Sequence, residues 1–204
     1  FHYVLCLSEA KGMNIIMESQ TYVAYYMQFS DKYTGKLNKY GGLPTHLPTQ
    51  WPSDEQFGEW TFLCQFYCDG KMLSIPDTLC IQIYQLIING MESSEPIVVQ
   101  VPLDANENTE KYGVSAAKIP EGDILFNEVV EEITEKNDWE LEDKNGVYLQ
   151  ESKLGGWCPA ADEMGDRKFL GIIGDGDAFS PFNWGGVDLF MFLNESNNVD
   201  CEFY

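Results

Sequence analysis

Two carboxylates, Asp175 and Asp177, stand two residues apart in Gly174-Asp175-Gly176-Asp177, and the loop runs on to Asn183-Trp184-Gly185-Gly186. Hard oxygen ligands on a pliable backbone suit calcium or magnesium. An EF-hand also needs an oxygen ligand at its fifth position and glutamate at its twelfth. Counted from Asp175, those places hold Phe179 and Gly186. A sugar is the other occupant that residue type allows, with Trp184 stacking on the ring and the carboxylates accepting its hydroxyls. No paired catalytic carboxylates of the glycosidase kind accompany them. Aspartate and glycine also build tight turns with no ligand at all, and tryptophan serves as core.

His46 is the only histidine beyond the N-terminal stretch, so a serine or cysteine nucleophile with a histidine base would have to run through it. It lies between Pro44 and Pro48, close to Trp51. No G-x-S-x-G elbow accompanies it, and nucleophile, base and orienting group cannot all be named. The six cysteines, at 6, 64, 68, 80, 158 and 201, contain no C-x-x-C pair and no zinc spacing. Cys64, Cys68 and Cys80 fall in apolar runs, where a reduced cysteine acts as a small core residue. That usage points to a reducing, cytoplasmic setting. GIIGDGD lacks the G-x-G-x-x-G register, and no phosphate-binding loop of the Walker type occurs. No cofactor is expected.

Charge narrows the partners. Thirty-three acidic residues against 12 basic ones give a formal net charge of -21. Such a field repels phosphate backbones and anionic lipid, and it speeds encounter with a basic protein. Nucleic acid and membrane are therefore excluded as expected ligands. A charged solubilising surface produces the same count. The chain is 44% hydrophobic and 14% aromatic, which separates it from acidic disordered sequences. No apolar run reaches the roughly 18 residues that span a bilayer. The opening FHYVLCLSEA has neither a basic n-region nor a convincing h-region. Residues 1–20 are set apart as an N-terminal extension, with Met13, Met17 or an upstream residue as the native start.

These side chains need elements to position them. TYVAYYMQF (21–29), WTFLCQF (60–66), TLCIQIYQ (78–85) and residues 97–101 read as strands, rich in β-branched and aromatic residues and bounded by turn signals. KYGGLPTHLPTQWP is irregular, because its glycines permit angles closed to other residues and its prolines forbid helix and central strand. The pattern then recurs. Lys39-Tyr40-Gly41-Gly42-Leu43-Pro44 is matched by Lys153-Leu154-Gly155-Gly156-Trp157-Cys158-Pro159, with one residue more before the proline in the second copy. Phe169 to Ile173 echoes Phe62 to Phe66, and Val187 to Phe192 echoes Leu79 to Tyr84. Between the copies lies a polar loop, Asp104 to Gly113. Phe126, Val129, Val130 and Ile133 then follow helical spacing, opposite Glu128, Glu131, Glu132 and Glu135, with Asp123 or Asn127 as cap. The expected fold is α+β and mainly β. Two similar β-rich halves, about 21–88 and 147–194, form one unit over 21–204, joined by an acidic loop and a helix.

KYGGLPTHLP with its following WP, FLCQF, LCIQIYQ, SKLGGWCP, FLGIIGDGD and NWGGVDLFMFLN together resemble the YwqG-like family, a bacterial domain of unknown function. The resemblance covers nearly all of residues 21 to 194. It implies a duplicated, mainly β fold and no established activity. The family's last block runs Trp-Gly-Asp, a variable residue and Gly, whereas this chain has Trp184-Gly185-Gly186-Val187-Asp188. Asp188 thus offers a carboxylate from a different backbone position. The function expected is a non-catalytic intracellular module that binds a protein, a basic one by charge, and an immunity protein against a basic toxin is its specific form. The alternative is a small-ligand, carbohydrate or metal-binding protein, or a hydrolase, that uses the loop of Asp175, Asp177 and Trp184 with Asp188. His46 and Trp51 are the first-half candidates.

Overall fold

The computed structural model describes residues 19–52, 59–88, 91–92, 96–115, 119–133, 150–175, 181–182 and 186–204. Two long strands lie at its centre. β1 (Gln20–Phe29) pairs antiparallel with β8 (Gly122–Ile133), from Gln20 opposite Ile133 to Phe29 opposite Ile124. On β8's other edge, β2 (Lys39–Tyr40) leads to β3 (Glu59–Tyr67) and β4 (Thr78–Ile88), and β4 carries β5 (Met91–Glu92) and β6 (Ile97–Pro102). On β1's other edge, β9 (Lys153–Gly155) leads to β10 (Lys168–Ile173), β11 (Leu189–Leu193) and β12 (Val199–Phe203). β7 (Val114–Ser115) runs parallel to β3, and the one helix among the described residues, α1 (Ala161–Met164), is a single turn. The protein is mainly β with few helices, in one nearly closed sheet.

The sheet curls until its far strands meet. Gln100 on β6 donates from Nε2 to the Asn197 carbonyl at 2.9 Å and accepts from the Val199 amide at 3.0 Å. Its side-chain amide therefore takes the place of a backbone ladder between β6 and β12. The inner face holds the main core, in which Leu63, Cys64, Phe66, Ile81 and Ile83 meet Leu154, Leu170, Ile173, Leu189 and Met191.

The segments paired by sequence also share their pairing. Lys39 lies opposite Gln65, and Lys153 lies opposite Ile172. The β3–β4 register shifts between Phe62 and Cys64, leaving Leu63 as the extra residue; the β10–β11 register shifts between Phe169 and Gly171, leaving Leu170. A bulge turns the extra side chain onto the face of its neighbour, so Leu63 and Leu170 both reach the core. Gly41 and Gly42 have φ of 62° and 63°, and Gly155 and Gly156 have 65° and 81°. Side chains with a Cβ rarely adopt such angles.

One expectation fails. The segment placed in a helix from Phe126 to Ile133 is the outer part of strand β8, and Asp123, its proposed cap, is buried within that strand. Asp123 instead accepts hydrogen bonds from the Thr34 amide at 3.1 Å and the Thr34 hydroxyl at 2.6 Å. The β-branched Val129, Val130 and Ile133 suit a strand as well as the apolar stripe suited a helix. What decides is β1, whose ten residues all pair with β8. Glu131, placed on the solvent face of the helix, is fully buried instead. Residues 147–149, where the second half was expected to begin, lie outside the described residues.

Glu131 forms an ion pair with Lys153 at 2.5 Å, and neither side chain is exposed. It also accepts from the Tyr26 hydroxyl at 2.7 Å and from the Trp157 amide at 2.6 Å. Burial pulls the Lys153 ammonium below the usual lysine range, and Glu131 opposes that pull. Removing one member of such a pair leaves an uncompensated buried charge, at a cost of about 3–5 kcal/mol. In urea denaturation, Glu131→Leu is expected to lose about that much stability. The double variant Glu131→Leu, Lys153→Met is expected to lose less than Glu131→Leu alone, because no bare charge remains.

Candidate functional site

In the second-half loop, the structure joins two of the residues picked from sequence. The Asp175 amide donates to Asp188 Oδ1 at 2.7 Å, and the Gly186 amide donates to Asp175 Oδ2. Asp188 also exchanges two backbone hydrogen bonds with Tyr204, at 2.9 and 3.1 Å. The carboxylates thus brace the two ends of one loop, as aspartates in turns commonly do. Asp177 and Trp184 lie outside the described residues. Among the described residues, no group of three or more histidine, cysteine, aspartate or glutamate side chains is placed to hold a metal ion.

The first-half loop forms a larger assembly. It folds over the outer face of β3 and β4, where strand alternation turns Gln65, Tyr67, Cys80, Gln82 and Tyr84 away from the main core. Gln65 and Gln82 are nonetheless fully buried, so their amides need partners. Gln65 donates to the Leu37 carbonyl at 2.6 Å and to Thr45 Oγ1 at 2.7 Å, and it accepts from the Thr45 amide at 3.0 Å. Gln82 donates to the His46 carbonyl at 2.9 Å and accepts from the Tyr84 hydroxyl at 2.8 Å. Trp51 meets Tyr84 edge-to-face, with ring centroids 6.1 Å apart. His46 and Trp51 are therefore linked through Gln82 and Tyr84.

His46 Nδ1 is hydrogen-bonded to the Tyr67 hydroxyl, and that hydroxyl also meets Thr45 Oγ1 at 2.6 Å. One proton order satisfies every member: Gln65 donates to Thr45, Thr45 to Tyr67, and Tyr67 to His46. Burial pushes the Tyr67 phenol up, which keeps it a donor. The imidazole nitrogen facing the strand is thus occupied in holding the loop, and the Thr45 hydroxyl, 3.3 Å from it, is itself engaged by Gln65 and Tyr67. The buried thiols of the two halves are no better prepared. Burial raises Cys64 well above the ordinary range, Cys80 to about 12 and Cys158 to about 11. Thiolate, the reactive form, is suppressed in each.

The second half fills the matching places differently. Cys64 faces Ile83 across β3–β4 and Gly171 faces Met191 across β10–β11, which sets Gln82 and Tyr84 against Phe190 and Phe192. Gln65 likewise corresponds to Ile172. Ile172, Phe190 and Phe192 pack with Cys158 and Phe169 as an apolar cluster. One half is sealed by hydrocarbon and the other by a polar network.

Beside that network a cavity of about 590 Å³ opens. It is lined by the 42–45 turn, the loop from Glu107 to Thr109, and the side chains of Tyr33, Lys39, Lys111 and Glu121. Lys39 has 3% of its side chain exposed, and its ammonium is bonded to Glu121 and, at 2.8 Å, to the Leu43 carbonyl. The Tyr33 ring lies 4.4 Å from it. Asn108 holds the opposite loop in place by donating to the Pro44 carbonyl at 3.0 Å and the Tyr112 carbonyl at 2.8 Å. Sequence reasoning singled out neither Lys39 nor Glu121. Their only signal was a lysine set one residue ahead of each Gly-Gly pair.

A scan against models of known protein families finds no match to this chain, and a search of curated proteins finds none either. No helix among the described residues is long and apolar enough to cross a membrane.

The raised thiols set an alkaline limit on stability. A group whose pKa is higher folded than unfolded stabilises the native state fully below the unfolded value, and that contribution is lost as pH rises towards the folded value. The window for Cys80 runs from the ordinary thiol value of 9.0 to about 12, and for Cys158 from 9.0 to about 11. Urea midpoints are expected to be level near pH 8 and to fall above pH 9. Each thiol contributes a slope of about 1.4 kcal/mol per pH unit, so Cys80→Ala should flatten the decline by about one such share.

Proposed function

We propose that this chain is a non-catalytic module that binds a basic protein in the cytoplasm, and that it is a YwqG-like protein built by internal duplication. Its most specific form is an immunity protein covering a basic toxin. The formal charge of -21 carries the reading, because a field of that sign accelerates capture of a cationic partner and opposes nucleic acid and anionic lipid. The chemistry of the described side chains agrees with it. His46 braces a loop, and the buried thiols are held in their unreactive form. The shared Lys-x-Gly-Gly turns, the paired bulges at Leu63 and Leu170, and the matching strand pairings support the duplication.

A small-ligand reading on the Asp175 loop has less support. Asp175 and Asp188 direct oxygens at amides of their own loop.

The test is recovery of the native protein with its bound partner, followed by kinetics of the purified pair. A one-to-one complex with a protein of high isoelectric point is expected, with association slowing at least about tenfold between low and high salt. For the immunity form, cells exposed to the partner should survive only when they make this chain. A complex insensitive to salt, or a partner that is itself acidic, would sink the proposal.

A further inference from the structure

We propose that the outer edge of β8 between Phe126 and Val130 receives an extended strand of the partner protein, added to the sheet by backbone hydrogen bonds; this rests on the protein-binding reading above. Successive residues of an antiparallel strand turn their N–H and C=O groups to alternate sides. Asp123 bonds towards β1, accepting from the Ser30 amide at 2.9 Å and donating to the Lys32 carbonyl at 3.3 Å. The Ile124 amide points the other way and donates to the Asn38 carbonyl at 3.0 Å. With the β1 register unbroken from Ile124 to Ile133, the groups of Phe126, Glu128 and Val130 follow those of Ile124, away from β1. β2 is too short to meet them. It is two residues long and lies opposite Gly122 and Asp123. Among the described residues, no strand pairs with that side of β8 beyond this point. Three amides and three carbonyls are left in a row, which is a template for another strand.

The side chains along the row favour an occupant. Natural edges are commonly blunted by proline, by a bulge or by charge. Residues 126–130 contain no proline and no shift of register, and their one charged side chain, Glu128, is paired with Lys71 at 2.5 Å on the exposed surface. Val130 faces Val23 across β8 and β1, and the two are 51% and 48% exposed. An added strand would set a β-branched side chain beside that pair and continue the row. A second copy of this chain is the poorer occupant. Each copy carries a formal charge of -21, and a two-fold pairing centred on the open stretch sets Glu128 against Glu128. The charge of the whole chain thus selects a basic protein as the source of the strand, while the edge itself reads backbone and an apolar side chain.

Amide hydrogen exchange followed by NMR tests the edge. In the free protein, Phe126, Glu128 and Val130 are expected to exchange at least about tenfold faster than Asn127 and Val129, whose amides face β1. The probe is a blocked pentapeptide, acetyl-Lys-Val-Thr-Val-Lys-amide. At about ten times its dissociation constant it should slow those three amides about tenfold. The same peptide with every backbone amide N-methylated keeps the charge and loses its donors, so it should protect none of them. Glu128→Pro removes one outward N–H and leaves the bonds to β1 in place; it should weaken peptide uptake at least about fivefold, the size of one hydrogen bond. If that variant fails to fold, the two peptides still decide. Slow exchange at the three amides in the free protein, or equal protection by both peptides, would overturn the site. Protection that grows with protein concentration alone would give the edge to a second copy and overturn the assignment to a partner. A native basic partner bound equally well by Glu128→Pro, with the three amides of the unsubstituted chain still exchanging in the complex, would overturn the edge and leave the protein-binding reading standing. Peptide protection in a chain that captures no basic protein would do the reverse.

Discussion

The antiparallel ladder between β1 and β8 is the pairing on which everything else hangs. β1 carries β9 on its far edge and β8 carries β2, so each strand holds the sheet that follows the other in the chain. Neither half closes on its own first strand. Phe29 must find Ile124, and Gln20 must find Ile133, before either edge exists for the remaining strands to extend. Loop closure over such spans must be met before the contacts reward it, which makes a topology of this kind slow to fold. It also makes the two halves one cooperative unit, whatever their origin.

Buried charge reinforces that union. Glu131 comes from β8, Lys153 from β9 and Tyr26 from β1, so one carboxylate ties three strands at the middle of the sheet. A buried ion pair is weak evidence for net stability, since hydrocarbon of similar shape often does as well. It is strong on register. Sliding β8 by one residue would carry Glu131 to the other face and leave Lys153 charged against a core. The polar network under the first-half loop works in the same way. Gln65 and Gln82 fix where Thr45 and His46 sit, because their amides are satisfied in one arrangement.

The long strands were legible because their composition and alternation agree with their surroundings. TLCIQIYQ and WTFLCQF read as strands and are strands. β8 was misread because four apolar residues met the helical spacing, and nothing local says that Glu131 will be buried. Its partner, Lys153, lies beyond a long intervening segment. The short strands β2 and β9 were hidden inside turns whose glycines dominated the reading. His46 and Trp51 were found as rare residue types, but the cavity beside them was not. Its walls come from 33, 39, 42–45, 107–111 and 121, segments that only the folded sheet brings together.

Gln100 closes the circle of strands with one side chain where a barrel would use a row of peptide groups. An unpaired strand edge is a template for another chain. By folding β6 and β12 towards each other, the molecule hides two such edges at once, with the Gln100 amide and the Cys201 thiol, which donates to the Pro96 carbonyl at 3.0 Å, spanning the gap. Loosening that junction would bare both edges together, so the contacts that close the sheet also keep its margins from a second chain.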